Sequence, residues 1–353
     1  MKGVIFDCDG TLVDSERLSN EVLVEAVAEH GLILAVDDAV RVFRGCKMAD
    51  CVAEIELRLG KPRTGDRREK LERAWRRFSE VCMIGGERLV CTRFPRSANY
   101  HPDWIIASSS GGASALWLTE WLAEAMDLHP GMRVLDLGCG LAASSIFLRR
   151  EFGVQVWAAD LWFSASNNLQ RVRDAGVDDG VFPIHADARS LPFACEFFDA
   201  IVCIDSFIYY GTDDLYLNYL ARFLKPGGAL GIAGAGVMQE IDLPVPDHLR
   251  AWWEPSLGCL HSAAWWRRHW ERTGILDIAV ADTLQDGWRF WRDWQRVVAP
   301  ENAAELHALE ADQGRYLGYV RLVGRRRPEA RLEEPIVSVP SVYSKAPLLR
   351  STE

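Results

Sequence analysis

The sequence predicts an α/β protein built on a largely parallel β-sheet. Short apolar runs recur between residues 133 and 233, and turns or stretches with helical periodicity separate them. Runs of this kind, alternating with helices, are typical of strands buried on both faces of a parallel sheet. Several of the runs end in an aspartate, which predicts a row of carboxylates along one edge of that sheet.

The first strand leads into a glycine turn and then a helix. Val134–Leu137 is an apolar run that contains Asp136, and Gly138 and Gly140 end it before helical periodicity begins. Glycines let a ligand approach the backbone because they lack Cβ and accept positive φ. The helix N-terminus adds N–H groups and partial positive charge. A dinucleotide-binding turn would have glycine at Ala143, and Asp136 would repel a pyrophosphate and suit a cation.

The second and third strands are also followed by acids at informative positions. Residues 154–160 form the second strand and end at Asp160, which lies 160 − 140 = 20 residues after Gly140. An acid at this spacing can accept hydrogen bonds from ribose hydroxyls. The third strand, residues 181–187, ends at Asp187.

The fourth strand is predicted at Phe198–Asp205. A helix between Asp214 and Phe223 follows it, then a turn at Leu224–Gly228 and a fifth strand at Ala229–Ala233. Before the first strand, Ala115–Leu128 has the spacing of an amphipathic helix. The alternation of strand and helix is therefore continuous across this region.

Taken together, these motifs resemble those of class I S-adenosylmethionine-dependent methyltransferases, whose first motif is Asp/Glu-x-Gly-x-Gly. The likeness is greatest to the ubiquinone/menaquinone-type group (methyltransferase type 11) and to sterol-type C-methyltransferases. The resemblance implies a Rossmann-like sheet of seven strands, with the sixth at Ile275–Thr283 and the seventh at Tyr316–Val323. It further implies that the seventh strand is antiparallel and lies between the fifth and the sixth.

The resemblance also implies S-adenosyl-L-methionine as the cofactor. The loop after the first strand would contact its amino-acid end, Asp160 its ribose and Asp187 its adenine amino group. The residues assigned to cofactor binding in this way are Asp136, Gly138, Cys139, Gly140, Asp160, Leu161, Asp187, Ala188, Asp205 and Ser206.

Methyl transfer depends mainly on positioning, because the methyl group of a sulfonium is already electrophilic. A general base is needed only for acceptors such as hydroxyls or protonated amines. Asp205 and His261 are the candidates for that role, with Tyr209 and Tyr210 nearby at the expected pocket mouth. The thiol of Cys139 is interpreted as a spacer between glycines rather than a nucleophile.

Tryptophans cluster after the fifth strand, where eight of the fourteen lie between residues 252 and 294. Trp288, Trp291 and Trp294 fall on one face of a predicted helix. Such a stripe is usually core packing. The alternative is an aromatic-walled acceptor pocket, which would suit an apolar or cationic small molecule.

The N-terminus carries a different motif. Gly3–Ser15 contains Asp7 and Asp9 in the pattern Asp-x-Asp-Gly-Thr, and two or three helices follow. This resembles the start of a haloacid-dehalogenase-type phosphatase with its helical cap, in which the two acids act as nucleophile and general acid–base and help bind Mg²⁺. The family's later motifs do not follow, so a truncated fragment without phosphatase activity is expected, and Mg²⁺ only if the fragment functions.

The predicted domain organisation has four parts. These are the phosphatase-like fragment at 1–62, a charged helical linker at 63–94, the methyltransferase domain at 95–326 and a tail expected to be disordered at 327–353, within a basic stretch that starts at Arg325. The alternatives to a methyltransferase are a Mg²⁺-dependent phosphohydrolase acting through Asp7 and Asp9, and a cofactor-binding module without catalysis.

Composition and charge limit the expected localisation and binding partners of the protein. The formal net charge of −10 disfavours a general nucleic-acid binder, and the nine cysteines lack metal-binding spacing. No apolar run is long enough to span a bilayer and no signal peptide is evident, so the cytoplasm is expected. The expected partner is a small-molecule methyl acceptor, and the oligomeric state stays open.

Overall fold

The computed structural model describes residues 91–100, 114–300 and 302–332, together with two isolated positions, 24 and 35. The predictions for Asp7 and Asp9, for the rest of the phosphatase-like fragment and for most of the linker concern residues outside these ranges, so they stay predictions. Among the described residues, no helix is both long and apolar enough to cross a membrane.

The described residues form seven strands with seven α-helices in an alternating order. The first half of the chain order is α1 (Ala115–Ala123), β1 (Arg133–Leu137), α2 (Ala143–Phe152), β2 (Gln155–Asp160), α3 (Ala165–Asp174), β3 (Val181–His185) and β4 (Phe198–Ile204). The second half is α4 (Tyr216–Leu220), β5 (Leu224–Val237), α5 (Ala263–Glu271), β6 (Leu276–Thr283), α6 (Gly287–Val298), α7 (Ala303–Asp312) and β7 (Leu317–Arg326).

The sheet has the order β3-β2-β1-β4-β5-β7-β6. Strands β1 to β5 are parallel, and β7 runs antiparallel to both of its neighbours. The predicted insertion of the last strand is therefore confirmed. The order reverses direction between β1 and β4, and in such sheets ligands bind beyond the carboxyl ends of the strands at this switch point.

Several predicted boundaries were wrong, among them the end of β3 at His185 instead of Asp187 and the end of β5 at Val237 instead of Ala233. Helix α1 ends at Ala123 instead of Leu128, and the helix expected between Asp214 and Phe223 is the short α4 followed by a 3₁₀ turn. Strand β5 already begins at Leu224, so the glycine-rich segment predicted as a turn lies within the strand. Gly227 has φ +76° there, which explains how an extended strand accommodates a turn-like sequence.

The core confirms the packing interpretation for four of the eight clustered tryptophans, Trp266, Trp270, Trp291 and Trp294. Trp266, Trp270 and Trp294 are among the largest fully buried side chains. The ring of Trp294 packs against that of Trp117 at 5.8 Å, which joins α6 to α1. Trp270 packs against Phe207 just after β4, at 5.7 Å. Aromatic burial therefore fixes the helices that flank the carboxyl ends of β4 and β5.

The packing near the two predicted edges of the domain is as follows. Phe94, assigned to the end of the linker, is fully buried and its ring lies 5.9 Å from that of Trp117. At the other end, β7 includes Arg325 and ends at Arg326, the last residue of the predicted domain, and the guanidinium of Arg326 donates to Glu196 at 2.9 Å. The described chain continues to residue 332, and the rest of the predicted tail lies outside it.

Candidate active site

The glycine loop after β1 is fastened to β2. The amides of Gly138 and Cys139 donate to the carbonyl of Ala159 at 2.8 and 3.2 Å, and the amide of Gly140 donates to Asp160 Oδ2 at 2.8 Å. Gly138 and Gly140 have φ of +76° and +53°. These contacts hold the loop in a left-handed path that few side chains could follow.

Ser206, which follows β4, packs against the glycine loop from the other side of the switch point. Its hydroxyl donates to the carbonyl of Leu137 at 2.8 Å. A Cβ placed on Gly138 would lie 2.4 Å from the Cβ of Ser206 and 2.5 Å from its Oγ. The glycine is thus required by its φ angle and also by the side chain that β4 brings against it.

Asp136 is completely buried beneath the start of α2. Its Oδ2 accepts from the hydroxyls of Ser144 and Ser145 at 2.5 and 2.6 Å, whereas its Oδ1 is buried without a partner among the described residues. Burial is the largest cause of a pKa raised to about 6, opposed by the two serines and reinforced by the charge of Asp160. The two serines were missed at the sequence level, where only their place in the first helical turn could have indicated them.

Asp160 ends β2 and organises the backbone around it. Its Oδ1 accepts from the amides of Trp162 and Phe163 at 2.7 and 3.0 Å, in addition to the contact of Oδ2 with Gly140. The next residue, Leu161, is exposed, and its carbonyl contacts the ring of His185. The carboxylate is therefore held in place at the switch-point edge, with an apolar side chain beside it.

Asp187 forms a close ion pair with its neighbour Arg189. Its two oxygens accept from the guanidinium at 3.0 and 2.8 Å, and these hydrogen bonds are the main reason that the pKa of Asp187 is lowered. Ala188 is anchored through its carbonyl, which accepts from the hydroxyl of Tyr216 at 2.9 Å. The amide of Ala186 donates to the carbonyl of Asp160 at 2.9 Å, so this segment lies next to the end of β2.

The chain turns sharply at Asp205, which has φ +50°. Its amide donates to Ala233 at 2.8 Å, and its Oδ1 accepts from the amide of Ala235 at 2.9 Å. Gly234 makes this possible, because even a Cβ there would lie only 3.0 Å from Asp205 Oδ1. The carboxylate of Asp205 is thereby fixed between the carboxyl ends of β4 and β5.

Two aromatic side chains stand exposed at the same edge. Trp162 is 57% exposed and Tyr209 63% exposed, and their rings lie 5.9 Å apart. Tyr210, in contrast, turns inward, and its hydroxyl lies 3.1 Å from the hydroxyl of Ser206. Of the two tyrosines expected at the pocket mouth, only Tyr209 is therefore placed there.

The thiol of Cys139 is unsuited to nucleophilic chemistry. It is buried, and burial followed by the charges of Asp136 and Asp160 raises its pKa well above the ordinary value. The thiolate is the reactive form of cysteine. The side chain therefore stays protonated between the two glycines, in agreement with its interpretation as a spacer.

His261 lies at the end of β5 and is oriented by an acid that the sequence did not reveal. Its Nδ1 lies 2.9 Å from Glu240 Oε2, and its ring stacks on that of Trp265 at 3.6 Å. Glu240 also accepts from the amide and hydroxyl of Ser262 at 2.8 and 2.6 Å. Burial would raise the pKa of Glu240, but these hydrogen bonds outweigh it and the pKa lies below its ordinary value.

Such a pair has the arrangement of an oriented base. A carboxylate on Nδ1 fixes the imidazole and its tautomer and leaves Nε2 to take a proton. Two residues before His261, burial is the largest cause of a raised pKa at the Cys259 thiol, and the charge of Asp205 adds to it. Within residues 91–100, 114–300 and 302–332, no group of three or more metal-binding side chains is found.

Comparison with known proteins agrees with this geometry. Residues 134–228 match the family model described as a methyltransferase domain. This region is therefore similar to a methyltransferase domain. The order and direction of the seven strands agree with a Rossmann-like methyltransferase fold.

Similar proteins match part of this chain. Methyltransferase GfsG of Streptomyces halstedii is 38% identical over 129 residues, which are 35% of this chain and 45% of that protein. The ubiquinone/menaquinone biosynthesis C-methyltransferase UbiE of Vibrio campbellii is 34% identical over 144 residues, 40% of this chain and 52% of that protein. The chain thus spans about half the length of these curated relatives.

Among solved structures, the phosphoethanolamine N-methyltransferase 2 of Haemonchus contortus superposes with a TM-score of 0.52 at 17% identity, covering 69% of this chain and 60% of that one. At this identity the likeness bears on the fold. It supports the Rossmann-like arrangement expected from the sequence.

Proposed function

We propose that this protein is an S-adenosylmethionine-dependent methyltransferase that acts on a small-molecule acceptor. The observation that carries the proposal is the glycine loop at the switch point, held between Asp160 on one side and Ser206 on the other. The methyltransferase-domain match over residues 134–228 covers this loop and supports the same reading.

The residues at the loop fit this cofactor. Gly138 leaves room where any side chain would collide, and Asp136 Oδ1 is a buried acceptor without a partner among the described residues. Asp136 and Asp160 together give this edge of the sheet a negative electrostatic potential, which suits a molecule carrying an ammonium and a sulfonium. When bound, the cofactor supplies an electrophilic methyl group.

In this proposal the carboxylates have separate tasks. Asp160 would accept from the ribose hydroxyls while holding the loop through Gly140, and Asp187 would accept from the adenine amino group while sharing its charge with Arg189. Leu161, Ala188 and Ser206 would line the same cleft, with the backbone of Cys139 against the amino-acid end. Asp205 would border both cofactor and acceptor.

Replacing Asp160 by alanine is expected to weaken binding of S-adenosylhomocysteine by about 10- to 100-fold, the loss expected for charge-assisted hydrogen bonds. Asp187→Ala should weaken binding by about tenfold, since an exposed arginine already neutralises this acid. Isothermal titration calorimetry with S-adenosylmethionine and S-adenosylhomocysteine, with NADH as a control, measures both effects.

Asp199→Ala is the matched control. Asp199 also accepts from a backbone amide, that of Arg133 at 2.8 Å, but it lies at the opposite edge of the sheet. We expect its removal to lower stability without changing the affinity for the cofactor. Wild-type affinity in both Asp160→Ala and Asp187→Ala would show that the site is assigned to the wrong residues.

We further propose that His261 acts as the general base, oriented by Glu240. For an acceptor found by screening with tritium-labelled cofactor, His261→Gln should lower kcat by roughly 10²-fold, the usual contribution of a general base. His269→Gln is the control, because His269 stacks on the same tryptophan but donates from Nε2 to the carbonyl of Gly211. An equal loss of kcat in both variants would assign His261 a packing role.

A further inference from the structure

A buried phenol without a partner lies beside Asp205. Tyr319 on β7 is paired with Ala235 on β5, whose amide donates to Asp205 Oδ1 at 2.9 Å. The side chain is 2% exposed, and its hydroxyl has no hydrogen-bond partner among the described residues. An unpaired buried hydroxyl costs about 1–3 kcal/mol. A ligand that supplies the missing partner would remove this cost.

Aromatic rings and a second acid surround this phenol. The ring of Trp291 stacks on that of Tyr319, with centroids 5.6 Å apart and planes 16° apart. Trp252 meets Trp291 edge-on at 6.1 Å. The indole nitrogen of Trp291 donates to Glu305 Oε1 at 2.7 Å, which places a carboxylate behind the rings.

Glu305 is held by neutral donors. Besides the indole of Trp291, its oxygens accept from the amides of Gln295 at 3.1 Å and Asn302 at 2.7 Å, and no described cation forms a salt bridge with it. Burial is the largest cause of a raised pKa at Glu305, so an ammonium group bound beside it would favour the ionised carboxylate. Burial is the largest cause of a raised pKa at Tyr319, and the charges of Asp205 and Glu305 add to it.

We propose that Asp205, Trp252, Trp291, Glu305 and Tyr319 form a subsite that binds a positively charged amine, the methyl acceptor of the transferase. The carboxylates attract an ammonium group, and the tryptophan faces stabilise it by cation–π contact. The oxygen of the neutral phenol accepts a hydrogen bond from its N–H. The same charges repel an anionic acceptor. This inference rests on the proposed function and narrows its substrate class.

The chemistry that such an acceptor requires is available at the same edge. An ammonium nitrogen has no lone pair, so it must first give a proton to a base, and His261, oriented by Glu240, is the base proposed above. The lone pair then forms the nitrogen–carbon bond while the carbon–sulfur bond breaks and its electron pair stays on sulfur. The products are a methylated amine, S-adenosylhomocysteine and a proton released to solvent through the base.

The test compares amines and alcohols of equal carbon skeleton: propylamine with propanol, cyclohexylmethylamine with cyclohexylmethanol, and 2-phenylethylamine with 2-phenylethanol. Their binding to the full chain saturated with S-adenosylhomocysteine is measured by saturation-transfer NMR titration. At least one amine should bind about tenfold more tightly than its alcohol, the scale of a charge-assisted hydrogen bond. Equal binding in every pair would overturn the inference.

Variants locate the subsite. Tyr319→Phe removes no hydrogen bond made within the described protein, so it should fold normally and weaken the amine about fivefold while leaving the alcohol unchanged. Glu305→Gln, which keeps acceptor oxygen, should act in the same direction. Tyr219→Phe, which loses only the contact with the amide of Leu191, is the control. Amine binding that is unaffected by both Tyr319→Phe and Glu305→Gln would refute the placement.

The failure of this inference is distinguishable from the failure of the proposed function. If the chain does not bind S-adenosylhomocysteine, the proposed function is wrong. If it binds S-adenosylhomocysteine and the amines show no preference over the alcohols, the methyltransferase assignment stands and only the acceptor class is refuted.

Discussion

Gly138→Ala is expected to abolish measurable binding of S-adenosylhomocysteine and to lower the free energy of unfolding by roughly 2–5 kcal/mol. Two causes combine at this position. The residue has φ +76°, and its new Cβ would lie 2.4 Å from the Cβ of Ser206. Real Cβ atoms do not approach so closely, so either the loop or the end of β4 must move.

Such a movement would damage the site as well as the fold. Ser206 is held by its hydrogen bond to Leu137, and the loop is held by Gly140 and Asp160. Displacing either one changes the cleft where the glycine loop and Asp160 would meet the cofactor. Thermal unfolding and calorimetric titration of the same sample measure the two consequences separately.

Two further variants separate strain from collision. Gly227 has the same φ of +76°, but a Cβ there meets nothing within 4 Å. Gly227→Ala should therefore cost only the strain of the left-handed conformation, about 1–3 kcal/mol, and leave cofactor affinity unchanged. Adding Ser206→Gly to Gly138→Ala removes the colliding atoms and should restore part of the affinity. Full binding by Gly138→Ala alone would mean that the loop does not contact the cofactor.

The sequence predicted the parts of this site that depend on local order along the chain. The glycine loop, Asp160 and Asp205 follow strands, and in a parallel sheet the ends of such strands meet at one edge. The place of β7 followed from family resemblance, and the strand pairing confirms it. These features need no knowledge of which side chains meet across the fold.

The remaining features depend on contacts between distant segments. Glu240 orients His261 from 21 residues away, and Glu305 reaches Trp291 across the turn between α6 and α7. Tyr319 looks like an ordinary strand residue in the sequence, and its unpaired hydroxyl is visible only once the strands are assembled. Glutamates are usually solvated, so nothing in the sequence distinguished Glu240 and Glu305 from other acids.

Asp136→Asn is expected to change the pH dependence of stability and of cofactor binding in opposite ways. The wild-type carboxyl has a pKa of about 6 in the folded chain against an ordinary value of 3.8. Because the folded value is raised, its contribution to stability is fully present below pH 3.8 and is lost as the pH rises through 6. As the pH rises from 4 to 7.5, the wild type should therefore lose roughly 2–3 kcal/mol of unfolding free energy that the variant does not lose.

The affinity of the wild type for the cofactor should instead increase as the pH rises. If the ionised Asp136 attracts the cationic amino-acid end of the cofactor, wild-type affinity should rise about tenfold between pH 5 and 7, while Asp136→Asn stays weak and flat. Calorimetric titrations with S-adenosylhomocysteine at both pH values measure this difference. Ser144 and Ser145 can still donate to the asparagine oxygen, so the start of α2 should be retained.

Asp199→Asn provides the control of opposite sign. Burial opposes the ionisation of Asp199, but Lys225 and the amide of Arg133 outweigh it and lower its pKa. Its contribution to stability is therefore present above its unfolded pKa and lost in acid, so the variant should lose stability mainly at neutral pH. If Asp136→Asn instead binds the cofactor like the wild type at every pH, the buried carboxylate serves only to hold α2 on β1, and it does not attract the cationic end of the cofactor.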